Sequence, residues 1–225
     1  MADPSARSDE EIQRDVLDQL RWDARVQPHE IAVTVRGGVV TLLGWVDSYG
    51  KKWAAERAAH RVRGVAAVAN DIDVRLPRTA QRTDADIAAA AVRALAGDAF
   101  VPVERLDVTV ANGWLTLKGE VEWEFQRRAA EGAVRRLSGI RGLANLIEVR
   151  PRINPSPTEL RNQLAHALAR SAEPDSHEIT VETDGSTVVL RGTVRSWSAR
   201  EEAERISWSA PGVTAVDNRI TVDPG

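Results

Sequence analysis

Residues Gly37–Val74 read GGVVTLLGWVDSYGKKWAAERAAHRVRGVAAVANDIDV. An apolar strand closes on Gly44 and Val46, an Ala-rich helix follows, and a Gly64-Val65 turn leads into a strand headed by Asn70. The pattern occurs twice more. Gly44 is followed by Gly119 and Gly192 at intervals of 75 and 73 residues. The same intervals carry Gly64 onto Gly139 and Gly212, and Asn70 onto Asn145 and Asn218, with no gap inside a copy. Self-similarity at such a period means an array of small units. The expected units span residues 7–76, 82–151 and 155–223.

Outward from that stretch, each copy opens on a helix start. Ser8-x-x-Glu11 is a capping box, repeated as Thr83-x-x-Asp86 and Ser156-x-x-Glu159, with Pro157 at the favoured first helical position. Behind each cap lies a helical apolar face: Ile12, Val16, Leu17, Leu20; Ile87, Ala91, Val92, Leu95; Leu160, Leu164, Ala165, Leu168. Alternating strands come next, around Ile31-Val33-Val35, Leu106-Val108-Val110 and Ile179-Val181-Thr183. Gly37-Gly38, Asn112-Gly113 and Asp184-Gly185 then mark hairpin turns. The return strands carry Gly44, Gly119 and Gly192, expected at a bulge or where a helix backbone comes close. A second helix buries small residues such as Ala55, Ala58 and Ala59. Gly64, Gly139 and Gly212 follow it, where a left-handed residue is commonly needed.

The expected fold is therefore α+β: three tandem αββαβ units, each a small three-stranded mixed sheet with two helices on one face. A right-handed crossover makes the third strand parallel to the second. Leu76–Arg82 and Pro151–Pro155 are short, proline-bearing spacers between units.

Units of about 70 residues bury only roughly 60% of their unfolded surface and gain from packing on neighbours. Thirty basic and 33 acidic side chains leave a net charge of −3, so there is no global attraction to nucleic acid, which is not expected as a partner. The chain has no cysteine, which excludes disulfides and thiolate metal sites. The N-terminus lacks the apolar segment of a secretory signal, so the expected location is cytoplasmic, or periplasmic if a leader has been removed.

No nucleophile elbow, Walker loop or dinucleotide fingerprint is present, and an enzyme is not expected. The four histidines are scattered; His29 and His177 precede the first strands of their copies and read as turn residues, with no catalytic or metal site implied. Asp9, Glu10, Glu11, Asp84 and Asp86 sit in first helical turns, where capping and the helix dipole account for them.

Seven tryptophans stand outside the repeated apolar columns. Trp45 and Trp114 fall on the helix-free sheet face. With Val39 and Leu43 they make that face an interface candidate, for an adjacent unit or for an external partner, a second copy included. The other cluster lies where the second strand enters the second helix: Tyr49, Lys51, Lys52 and Trp53; Trp123, Phe125, Arg127 and Arg128; Trp197 and Arg200. Basic residues beside free helix N–H groups suit an anion, and aromatics beside them suit a lipid headgroup region or a nucleic-acid strand. The alternative is that the rings staple the corner and the charges are solvated.

The Gly-x-Val strand ends, the Gly-Val/Ile turns and the Asn-x-Ile-x-Val strands (Asn70-Ile72-Val74, Asn145-Ile147-Val149, Asn218-Ile220-Val222) together resemble the BON domain, named for a bacterial osmotically induced periplasmic protein and nodulation-related proteins. The resemblance implies a bacterial, non-enzymatic, stress-associated binding protein. Its partners would be an anionic phospholipid surface or another envelope component, reached through the Trp/Arg corners. A self-assembling or protein–protein scaffold is the alternative. A weaker implication is a monovalent-cation site for potassium, built from backbone carbonyls around the Gly64, Gly139 or Gly212 turns; no other cofactor is expected.

Overall fold

The computed structural model describes residues 7–26, 31–152, 156–171 and 179–222. His29, His177 and the end of the second spacer lie outside the described residues. Unit one comprises α1 (Asp9–Trp22), β1 (Ile31–Arg36), β2 (Val39–Val46), α2 (Tyr49–His60) and β3 (Ala67–Val74). Unit two repeats it as α3 (Asp84–Ala96), β4 (Leu106–Ala111), β5 (Trp114–Val121), α4 (Glu124–Val134) and β6 (Gly142–Val149). Unit three follows as α5 (Pro157–Ser171), β7 (Thr180–Asp184), β8 (Thr187–Val194), α6 (Trp197–Ser209) and β9 (Ala215–Val222).

In each sheet the middle strand pairs antiparallel with the first and parallel with the last, as with Val35↔Val40 and Leu42↔Asn70. The fold is α+β in three units, each with its own core. In unit one Ile12, Val16 and Leu20 of α1 meet Val40, Leu42 and Val46 of β2, and Ala54, Ala55, Ala58 and Ala59 of α2. Where two apolar residues adjoin on a first helix, the second is less buried: Leu17 packs at the edge of the core beside buried Val16, while Val92 and Ala165 are exposed beside buried Ala91 and Leu164. A helix of 3.6 residues per turn cannot aim both at one sheet.

Two polar devices hold each unit in shape. The first explains the asparagine. Asn145 Nδ2 donates to the Arg127 carbonyl and to Glu131 Oε2, both at 3.2 Å, while its Oδ1 accepts from Ile147 N at 3.3 Å. Asn70 and Asn218 make the same three bonds, with Lys52 and Glu56 and with Arg200 and Glu204. The motif pins the last strand to the second helix. The second device explains first-turn acids: Asp9 accepts from Gly37 N and Gly38 N, and Asp84 from Asn112 N and Gly113 N. These carboxylates clamp the hairpin turn. Unit three has Pro157 at that position, and Thr183 Oγ1 donates to the Pro157 carbonyl instead.

Gly119 answers to a strand rather than a helix. It has φ +125°, and a Cβ there would fall on the Arg105 carbonyl at the entry to β4. The close approach is therefore made by the neighbouring chain of the sheet. Gly139, with φ +96°, leaves room for Arg82 and for Ile87 of α3.

Candidate functional site

The strand-to-helix corners begin as local chemistry. Lys51 Nζ meets Asp47 Oδ2 at 2.7 Å, one turn back. Arg127 and Arg128 both fold onto Glu124, whose side chain is buried; Arg127 Nε lies 2.7 Å and Arg128 Nε 3.1 Å from its oxygens. Gln126 Oε1 accepts from Glu122 N and Trp123 N, completing the start of α4. Arg200 donates to the carbonyls of Ile220 and Asn218 and lies 4.7 Å from the Trp197 ring. Lys52 is half-buried, its carbonyl bound by Asn70. Most corner cations thus have an intramolecular partner, and most corner charge is compensated locally.

The corners also join the units. Tyr49 of unit one packs against the core of unit two, and burial pushes its hydroxyl above the ordinary tyrosine value, with Glu131 and Glu56 adding to the effect. The Arg135 guanidinium lies 3.9 Å from the centre of the Trp53 ring, again between units one and two. Arg127 sits 5.2 Å over Trp208, which packs on the cores of both units two and three. Trp197 of unit three stacks on His60 of unit one at 4.4 Å between ring centres, and Arg57 pairs with Glu201 alongside. Burial pushes the His60 imidazole below its ordinary value; Glu56 and Glu201 oppose that shift, and Arg57 and Arg200 add to it.

The intervals of 75 and 73 residues place His60, Arg135 and Trp208 at one position of the repeat. Each is met by the corner of the preceding unit in cyclic order: unit one's corner by unit two, unit two's by unit three, unit three's by unit one. Three head-to-tail contacts close into a pseudo-threefold ring within one chain. Around α2, α4 and α6 this leaves a charged cavity of about 710 Å³, lined by arginines such as Arg57 and Arg128 and by glutamates such as Glu131 and Glu204.

The helix-free sheet faces stay outside the ring. Val39, Leu43 and Trp114 are 41%, 42% and 57% exposed, so no neighbouring unit covers them, contrary to one of the two expectations for this surface. Trp45 is half-buried beneath Arg75, 5.7 Å from its ring. The Trp114 ring lies across Gly142, where a Cβ would strike it, and Leu146 nearby is exposed. Unit three presents Thr187, Val189, Arg191 and Thr193 on the corresponding face.

Some contributors escaped the sequence reading. Phe100, after α3, meets Phe125 edge-on at 5.8 Å, and Phe125 lies near Trp123 at 6.4 Å; Phe100 and Phe125 are both exposed. Trp208, placed outside the apolar columns by the repeat, bridges two cores. The available signal was variation rather than repetition: one helical position reads His, Arg and Trp in the three copies. The carbonyls of Gly64 and Gly139 lie against the hairpin glycines Gly38 and Gly113. Among the described residues no three His, Cys, Asp or Glu gather as metal ligands, and no helix is long and apolar enough to cross a membrane.

No curated protein matches the chain. Among solved structures, two of CdsD, a structural protein of the type III secretion system of Chlamydia trachomatis, are similar at 14% identity and a TM-score of 0.27. One, its C-terminal domain, is aligned over 94% of this chain and 96% of its own, the other over 96% and 93%. The BON domain profile matches residues 8–75, 83–151 and 156–224. With nearly the whole length matched three times over, and each match enclosing one αββαβ unit, the chain belongs to the BON domain family as three tandem copies.

Proposed function

We propose that this protein is a non-enzymatic scaffold in which a ring of three BON units carries open apolar sheet faces for protein–protein contact, self-association included. The exposure of Val39, Leu43 and Trp114 on the helix-free faces carries this reading. Apolar residues on the outer face of a sheet are held in water at a cost in free energy, and covering them is favourable by roughly 25 cal/mol per Å². Light scattering across a concentration series tests it. The expected result is concentration-dependent assembly that Leu43→Asp or Trp114→Ser abolishes. A strict monomer at high concentration, with Trp45→Ser unchanged in stability, would falsify the self-assembling form.

A second reading has its own observation. Exposed Phe100 and Phe125 and half-buried Trp123 form an aromatic rim at the start of α4, the helix that also carries exposed Arg128, a combination suited to the headgroup region of an anionic phospholipid or to another envelope component. Sedimentation with anionic and neutral vesicles checks it. Preferential pelleting with anionic lipid that Phe125→Ser reduces supports membrane association; equal recovery with both vesicle types sinks it. The potassium reading of the glycine turns is tested by melting in potassium and in sodium, with identical curves counting against it.

A further inference from the structure

We propose that the cavity between units one and two binds a phosphate-type oxyanion carried on a small, partly apolar molecule. The cavity measures about 430 Å³, within the range of small-molecule sites. Four cations line it: Arg25 and Lys51 from unit one, Arg135 and Arg136 from unit two. Asp47 is its one acidic lining residue, and Lys51 holds it. Arg25 is engaged by Asp23, outside the lining. Arg135 and Arg136 meet no carboxylate within ion-pair distance among the described residues. A protein with a net charge of −3 has therefore gathered positive charge at one junction.

Arg135 shows what that arrangement lacks. Its guanidinium sits over the Trp53 ring, 3.9 Å from the ring centre, a contact with the π face that uses none of its N–H groups as hydrogen-bond donors to a carboxylate and leaves them for a planar or tetrahedral oxyanion. Burial pushes Arg135 below the ordinary arginine value. Glu131 opposes this, and Arg136, Arg57 and Arg25 reinforce it. An anion in the cavity offsets the repulsion from those three arginines and gives the partly buried guanidinium a counter-charge. Trp53, Leu137 and Ile140 supply an apolar wall for the rest of the ligand. Ser48 makes no side-chain bond to the start of α2, so the helix end adds partial positive charge to an arrangement that the cavity and cations already define.

The chain contains its own comparison. The positions equivalent to Arg25, Lys51, Arg135 and Arg136 are Phe100, Gln126, Trp208 and Ser209 at the junction of units two and three. At the junction of units three and one, Lys51 becomes Ala199, and Arg135 and Arg136 become His60 and Arg61. Arg61 is committed to Asp23. One fold position, built three times, gathers several cations once; its counterparts hold none at the junction of units two and three and, among the described residues, only the ion-paired Arg61 beside His60 at the junction of units three and one. Joining the units does not require the cations, since the other two junctions close without them.

The test is calorimetric titration of the full chain with inorganic phosphate and with glycerol 1-phosphate, at constant ionic strength balanced by chloride. Saturable one-to-one binding is expected, weakened by about tenfold or more in Arg135→Gln and in Arg136→Gln and unchanged in Arg191→Gln on the sheet of unit three. Arg136 is exposed, so its replacement keeps the test decisive where Arg135→Gln loosens the junction. Competition by glycerol 1-phosphate for phosphatidic acid vesicles assigns the oxyanion to a lipid headgroup; failure of such vesicles to bind assigns it to a free ester. Absence of saturable binding, binding indifferent to both variants, or pelleting on vesicles without affinity for either soluble ligand overturns the proposal. The oligomer measurement on the sheet faces is independent of every one of these outcomes.

Discussion

At the scale of single residues, the repeated letters are polar pins and their partners. Replacing Asn145 by alanine removes three bonds that tie β6 to α4 and leaves Glu131 without its amide donor. A loss of about 1–3 kcal/mol in unfolding free energy is expected, measured as a lower denaturant midpoint. Asp23 provides a pH test. Arg25, with its bidentate hydrogen bonds, and then Arg61 hold its carboxyl well below the usual carboxylate range. A depressed folded value means that the ionised form is favoured in the native state. The contribution is complete above the unfolded value of about 3.9 and declines as pH falls below it. Acid unfolding curves are expected to show Asp23→Asn less stable than the parent at neutral pH, with a shallower loss on acidification. The asparagine pins were legible as a motif, but their purpose was not. Their acceptors, a helix carbonyl and Glu56, Glu131 or Glu204, lie 18 and 14 residues earlier in sequence and become neighbours only after the crossover is complete.

Among elements, the first helix and the hairpin behave as one part. Asp84 accepts from Asn112 N at 2.8 Å and Gly113 N at 2.9 Å, and Asn112 has φ +52°, a left-handed conformation that the clamp helps to hold. Asp84→Ala is expected to destabilise unit two by about 1–2 kcal/mol, read from the midpoint of chemical denaturation. Hydrogen exchange is expected to localise the change to the turn between β4 and β5. The capping boxes were readable because their partners are three residues apart. The hairpin clamp was not, since a first-turn acid is already accounted for by the helix dipole, and its second task depends on where the helix crosses the sheet. The same limit applies to Gly119, whose neighbour is the adjacent strand at Arg105 rather than a helix.

For the whole molecule, stability rests on three junctions of different chemistry. Trp208 contributes to two cores, so Trp208→Ala is expected to cost about 2–4 kcal/mol and to separate unit three from the rest. Differential scanning calorimetry checks this: one cooperative transition in the parent is expected to become two, with the lower belonging to unit three. Removing the Arg57–Glu201 pair by Arg57→Ala is expected to change stability by less than about 1 kcal/mol, because both partners are partly solvated. The corner residues Tyr49, Trp53, Arg127 and Trp197 serve this ring. Outside the ring, large apolar side chains are exposed on the sheet faces of units one and two, at Phe100 and Phe125, and on the first helices at Trp22 and Val92.

What the sequence by itself determined is the unit: two helices, three strands, the order of pairing and the number of copies. Each of these follows from interactions between residues close in sequence or from periodicity that recurs in register. Only the tertiary structure decided that the corners close a ring, that the outer sheet faces remain uncovered and that four cations share one cavity. Those outcomes depend on contacts between units, where the positions that matter are the ones the repeat does not conserve from copy to copy. His60, Arg135 and Trp208 share an address in the pattern and nothing in their chemistry. Each acquires its role from the corner that faces it.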